Sequence, residues 1–514
     1  IPNPQSPIPN PQSPIPYEYF KNIKMNLYKK IYKIKARNSN KEIDIQKLIG
    51  IILKKMKQIA INQIKRTMPN LKEKNIHWTI TVPAIWEIKE RQIMINAACE
   101  AGLIREDDDL SHFFALEPEA ASIYYQKSHQ ADNSIAISEK PFIVCDFGGG
   151  TVDIVTQRRI EKNDSIGFNE VYKPLGGDKG SNIINENFME RIIKELFGEK
   201  CFNEAKNEIN KHRYIDWIIL EKNIEEFKKN FKNKSQLGTY FMIDLDLFEY
   251  YCQEDIKYLI EKFNSKNPSI KLNLERSWKI NFPYQIIYDL LFELISYTKN
   301  YIYEILENNN DVQNLLLTGG GSVNPMLKIL LEEDENFNSL NIVQSHNPEV
   351  AISYGAVLFY FDHNIIIKRK AKYTFGIKVR EKWEDNKHLN GGIKIYDELD
   401  NIYRCENIFS KIVTKNEDII TNKEIENTYD MLLSRVTVEL YKTEENNITF
   451  CNEKDKFGNL LIFKFGEFII DVGKNYDRNN RKAIVKLKIG GTFILATAIY
   501  CKTGEESKII CSFE

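Results

Sequence analysis

Apolar and polar positions follow two rhythms along this chain. Up to about residue 370, apolar residues recur at helical spacing, interrupted by short apolar runs that end on glycine or proline. In "KEIDIQKLIGIILKKMKQIAINQIKRTM" (41–68), Ile45, Leu48, Ile52, Met56 and Ile59 fall on one stripe, which predicts a helix with that stripe buried. "IHWTITVPAIW" reads as a strand ending at Pro83, and a helix follows through "RQIMINAACEAGL", stopped by Gly102. "HFFALEPEAASIYY" predicts a strand, a sharp turn at Glu117 and a helix entered through Pro118. "VCDFGGGTVDIV" (144–155) sets two apolar strands around three glycines. "VYKPLGGDKGSNIINENFMERIIKELFG" and "VQNLLLTGGGSVNPMLKILLEE" each repeat strand, glycine turn and helix. Residues 185–310 are expected to be mostly helical, and "NPEVAISYGAVLFYF" predicts a buried helix. This alternation indicates an α/β architecture. Beyond residue 370 the period becomes two: Val436, Val438 and Leu440 alternate with Thr437, Glu439 and Tyr441, which predicts an all-β domain with one wet face.

Charge and composition narrow the function classes. The 71 basic residues nearly balance the 72 acidic ones, leaving no net field to attract nucleic acid or anionic lipid. No run approaches the roughly 20 apolar residues of a membrane span. The eight cysteines are scattered without a C-x-x-C pair, as in a protein of a reducing compartment, so a cytoplasmic location is expected and no disulfide framework or zinc site. The start, "IPNPQSPIPNPQSPIP", is a seven-residue unit given twice and begun again, a composition that cannot bury a core. Residues 1–20 are therefore expected to be a disordered tail. With Ile1 where an initiating methionine would stand, the chain is expected to be incomplete at its N-terminus.

Three stretches carry candidate chemistry. In "DFGGGTVD", bare backbone amides at Gly148, Gly149 and Gly150 would admit a polyphosphate, and Thr151 would offer it a hydroxyl. Asp146 could hold Mg²⁺ or its waters, and Asp153, on the same side of its strand, would fix the turn. Taken alone, the stretch reads equally as a hairpin with a glycine-rich turn. In "LLLTGGGSVNP", Gly319, Gly320 and Gly321 would let a base and ribose lie on backbone; neither this nor any other stretch is a G-x-x-x-x-G-K-[ST] loop. In "LEPEAA", Glu117 could order an attacking water, or simply favour the helix dipole.

In this order the pieces resemble the ATPase of the actin, sugar-kinase and heat shock protein 70 superfamily, and within it the heat shock 70 kDa protein 12 branch. "TVPAIW", "AACEAGL", "ALEPEAASIY", "LGGDKGS", "DFGGGTVD", "TGGGSVNP" and "YTFGI" carry the resemblance, which covers nearly everything after the tail. It implies an actin-like two-lobed fold with ribonuclease-H-like sheets, incomplete at the N-terminus, and a C-terminal all-β domain. Lobe I would span 21–140, lobe II 141–345, a return to lobe I 346–368 and the β-rich domain 369–514. It implies ATP and Mg²⁺ in the cleft, with Asp146 at the metal and Glu117 and Thr151 beside the reaction. Gly148, Gly149 and Gly150 would cradle phosphates, Gly176 and Gly177 the turn of the second lobe, and Gly319, Gly320 and Gly321 the adenosine. "EEFKK" resembles the helix that brackets adenine, adding Glu225, Lys228 and Lys229; such Lys/Glu runs also occur as plain solvated faces.

The chain departs from the family in lacking a first phosphate hairpin, an assignable catalytic lysine and the acidic linker, and in placing Val323 where an arginine meets the adenine. Two readings stay open: an ATP-binding, slowly hydrolysing protein with a chaperone-like or regulatory role, or a non-hydrolysing nucleotide sensor or scaffold that binds a protein partner or client through its β domain.

Overall fold

Seven strands form the sheet that carries the candidate chemistry. In the computed structural model their order is Asn341–Gln344, Asn314–Thr318, Phe142–Phe147, Val152–Lys162, Ser165–Gly177, Ile366–Lys370 and Asp418–Ile420. Phe142–Phe147, Val152–Lys162 and Ser165–Gly177 form an antiparallel meander. Two parallel strands flank Phe142–Phe147 on its other edge. This is the ribonuclease-H-like arrangement expected of the second lobe, extended at one edge by Ile366–Lys370 and Asp418–Ile420. The structure describes residues 18–105, 112–128, 138–162, 165–208, 214–231, 239–242, 252–276, 279–421, 423–488, 494–504 and 506–510, so most of the expected tail lies outside the described residues.

Side-chain alternation divides the sheet between two cores. Ile143, Cys145 and Phe147 face a core shared with Leu315, Leu317 and the long helix Tyr284–Asn308. Phe142 and Val144 face a second core, built with the helix Glu117–Ser128 and the parallel strand pair Ile80–Val82 and Phe114–Leu116. Asp146 has the parity of Phe142 and Val144, and Asp153 that of Val155. Period two therefore sends both acids to the face of the second core. The helix Pro348–Phe361 closes this core, and its backbone lies so near Glu117–Ser128 that a Cβ at Gly355 would meet the Ala120 carbonyl oxygen at 1.7 Å.

Several sequence expectations are corrected. In the helix Ile45–Thr67 the buried face is Ile45, Leu48, Ile49 and Ile61, while Ile52, Met56 and Ile59 are exposed. The helix meets Ile88–Glu100 at Gly50, whose missing side chain admits Glu100 and Ala97, and that contact turns the apolar stripe outwards. Pro348–Phe361 is buried on one side only; Val350, Tyr354, Val357 and Phe361 are exposed. Residues 185–310 are mostly helical as expected, with a small sheet of Thr239–Met242, Lys279–Phe282 and Asn273–Arg276 added. Cys201 and Cys252, expected as free thiols, form a disulfide. They stand 51 positions apart in the sequence, and no local pattern announces a contact made only by tertiary folding.

The C-terminal region is the expected β structure, a five-stranded and a four-stranded sheet sharing a core of residues such as Leu440, Phe468, Val485 and Ala498. It is fastened to the lobes at Glu87, which pairs with Lys372, accepts from the Tyr373 hydroxyl at 2.8 Å and pairs with Lys442 at 2.8 Å. Burial pushes the Glu87 carboxyl up, but these two lysines outweigh it and hold the group at about 2. Among the described residues no helix is long and apolar enough to cross a membrane.

Candidate functional site

The triple-glycine turn is held from behind by the loop that follows the meander. Gly180 N–H donates to the Gly150 carbonyl (3.0 Å), Ser181 to Gly148 (2.9 Å) and Asn182 to Gly149 (2.8 Å). All three carbonyls of the turn are thus engaged on one side. Gly180 is required for this approach: a Cβ there would lie 2.5 Å from the Gly150 carbonyl carbon.

Across the hairpin Asp146 pairs with Asp153, and Thr318 lies beside Asp146 on the other flank. Asp146 is 1% exposed, and its Oδ1 has no hydrogen-bond partner. Burial, then the charges of Glu117 and Asp153, push its carboxyl well above the usual carboxylate range, against the pull of Lys24. Asp153 accepts from the Ile85 N–H (3.1 Å) and is pushed up to about 6, by burial first and Glu117 second. Thr151, expected to serve a phosphate, is buried beside Asp153 and works against that rise. Glu117 is buried at the start of its helix and pairs with Lys24. Burial works against the Lys24 ammonium, yet Glu117, Asp153 and Asp146 together raise its affinity for the proton.

The second glycine turn closes on the first. Gly319 has φ +82°, and a Cβ on it would fall 2.0 Å from Asp146 Oδ1. Only glycine lets this turn pass the acid. Beyond it, Gly149, Gly320, Gly321, Glu225, Lys228 and Lys229 line one cavity of about 170 Å³, together with Glu349. Lys228 donates to the Ser181 carbonyl (3.3 Å) and pairs with Glu225 at 2.9 Å; burial lowers its affinity for the proton. Lys229 pairs with Glu349 at 3.3 Å across the mouth. Gly176 and Gly177 lie away from this cavity: Gly176 pairs with Asp153, and a Cβ at Gly177 would strike the Tyr297 hydroxyl at 1.9 Å.

Comparison with known proteins fits this geometry. Residues 15–199 match the family model described as Hsp70 protein, and residues 136–343 match a domain of unknown function (DUF8340). Heat shock 70 kDa protein 12A of Homo sapiens is 23% identical, over 92% of this chain and 76% of that protein. These matches, spread over most of the chain, support the Hsp70 family and within it the heat shock 70 kDa protein 12 branch. The Mus musculus 12A protein is 22% identical with the same coverage, and human heat shock 70 kDa protein 12B is 21% identical over 73% of this chain and 61% of its own length. The similarity supports an Hsp70-like ATP-binding protein with an actin-like ATPase domain, and in the Hsp70 family nucleotide is bound with Mg²⁺.

For this Hsp70-like chain, sequence reasoning missed three features of the site. Lys24 sits in "KNIKMNLY", which carries no motif, and only the fold brings it to Glu117. Ser181 and Asn182 directly follow "LGGDKG", but their amides reach the glycine turn only through the meander. Glu349 comes from the return helix.

Proposed function

We propose that the chain binds ATP with Mg²⁺ between its two glycine turns and hydrolyses it slowly, the lobes passing their state to the C-terminal β domain. The supporting observation is that Gly149 shares one cavity with Gly320 and Gly321, beside three buried carboxylates and a lysine. The residues fit the metal. Asp146 Oδ1 is buried and unpartnered, an atom that favours a cation. Mg²⁺ is an ion that relies on one or two carboxylates, phosphate and water, and Asp146 supplies such a carboxylate. When bound, Mg²⁺ supplies charge that neutralises phosphate oxygens.

The chain's own residues have distinct tasks. The amides of Gly149 and Gly150 receive phosphate, held in place by the loop Gly180–Asn182. Glu117 orients the attacking water, and Lys24, paired with Glu117, brings a positive charge to the phosphate end. Gly319, Gly320 and Gly321 carry the ribose and base, while Glu225 and Lys228 bracket them. The route to the β domain is short: Asp153 holds the Ile85 amide, and two residues on Glu87 is gripped by Lys372, Tyr373 and Lys442. A protein partner or client would engage that β domain.

One observation favours the second reading, a nucleotide sensor or scaffold that does not hydrolyse. Met25 lies on Gly150, where a Cβ would fall 2.2 Å from its sulfur, so an apolar side chain sits against the phosphate turn. Calorimetry with ATP·Mg²⁺, run beside phosphate release for the wild type and Asp146→Asn, separates the readings. Heat with release that falls in the variant is expected. Heat with equal background release from both leaves the sensor; no heat removes both.

A further inference from the structure

We propose that Cys201 and Cys252 form a reversible modification site for small-molecule disulfides, and that closing the bond restrains the helix carrying Glu225 and Lys228. The second half rests on the nucleotide reading above. The two cysteines stand 5.6 Å apart at Cα, within the range a disulfide accepts. The chain between them contains the helix Tyr214–Lys229. Cys201 is buried in the helix Glu199–Glu208, and its neighbour Phe202 packs its ring against Trp217, with 6.1 Å between centroids. Trp217 Nε1 donates to Glu221 at 3.2 Å, and Trp217, Glu221 and Glu225 follow one another at four-residue spacing along one face. Fixing Cys201 therefore fixes the wall on which the first turn of the bracket helix rests.

Other thiols do not compete. Cys145 and Cys405 are buried, and burial pushes Cys451 up to about 12, leaving it little thiolate. Cys99 and Cys501 are exposed but have no cysteine within bonding reach among the described residues. Cys252, half-buried beside the Phe197 carbonyl, is the more accessible of the pair. Its thiolate attacks one sulfur of a disulfide R–S–S–R, forming a mixed disulfide and expelling RS⁻. The Cys201 thiolate then attacks the Cys252 sulfur and expels the second RS⁻. Two protein thiols lose two protons and two electrons, and R–S–S–R is reduced to two RSH.

The test compares the full chain after oxidised glutathione with the chain after dithiothreitol. Mass mapping should find the 201–252 cross-link only in the first. Amide exchange across 214–229 should slow on oxidation, and release of a fluorescent ADP analogue should slow on the order of fivefold, the lower end of ordinary coupling between sites. Cys252→Ser and Cys201→Ala should both behave as the reduced chain under either treatment, so a folding defect in one does not decide the matter. A cross-link elsewhere, a chain that glutathione leaves reduced, or cross-linking with unchanged exchange across 214–229 overturns the proposal. Slowed exchange in a chain that binds no nucleotide upholds the thiol site and the restraint while removing the nucleotide reading.

Discussion

Gly180 and Gly320 offer opposite perturbations of one cavity, and their alanine variants test whether it holds nucleotide. A Cβ at Gly180 would lie 2.5 Å from the Gly150 carbonyl carbon and 2.6 Å from both the Gly149 oxygen and the Thr151 nitrogen. All three are backbone atoms, so no side chain can swing aside. Restoring ordinary contact moves the loop from the turn by several tenths of an ångström and strains three hydrogen bonds now at 2.8, 2.9 and 3.0 Å. With each bond contributing about 1 kcal/mol net, Gly180→Ala should lose about 2–3 kcal/mol of stability. A similar loss at the phosphate amides would weaken ATP·Mg²⁺ binding by about 30- to 150-fold. At Gly320 a Cβ would meet nothing within 4 Å. Gly320→Ala should therefore change stability by less than about 0.5 kcal/mol, yet place a methyl group where the nucleoside would lie. Its nucleotide affinity should fall by about tenfold or more, since a lost 1.4 kcal/mol suffices. Urea denaturation and calorimetry on both variants give the four numbers. Wild-type affinity in Gly320→Ala would refute the assignment of the cavity. Wild-type affinity in a destabilised Gly180→Ala would show that the loop supports the fold but not the phosphate site.

Other expectations follow from the charged interior. Asp146→Asn should shift stability by less than about 1 kcal/mol, because burial and the neighbouring acids already disfavour the charged form of the native carboxyl, while Mg²⁺-dependent binding is lost; calorimetry with and without Mg²⁺ reads this. Burial lifts the Glu170 carboxyl from an ordinary 4.5 to about 8, although it accepts from the Lys370 N–H. The folded chain then holds a proton that the unfolded chain has released, so this group's stabilisation is full below pH 4.5 and is lost as pH rises to 8. Denaturation across that window should show the decline, and Glu170→Gln should flatten it. Arg369 donates to Glu119 from Nε (2.8 Å) and Nη2 (2.6 Å) in the buried interior. Arg369→Met strands that carboxylate and should cost about 3–5 kcal/mol in denaturation, with part recovered in the double variant with Glu119→Gln; no recovery would remove the pair as the cause. Lys442→Met should loosen the β domain at Glu87, read as faster amide exchange across 435–443 with the lobes unchanged.

What could be read from the sequence was whatever local sterics dictate. Glycine runs after apolar strands, a proline opening a helix, and period two in the last third each follow from neighbours along the chain. The ribonuclease-H-like order and the placement of Gly149 opposite Gly320 were accessible through the resemblance of whole motifs, not through any one of them. What stayed hidden depends on register and on distant contacts. Lys24 is one lysine among many until the helix Ile23–Tyr28 lies over the cleft. That the missing side chain of Gly177 makes room for Tyr297 shows only in the fold. The stripe of Ile52, Met56 and Ile59 obeyed helical periodicity and still faces outwards, because Gly50, which no hydrophobic count rewards, decides where the helix docks. Periodicity predicts that a face can be buried; a small residue at the crossing point decides which face is.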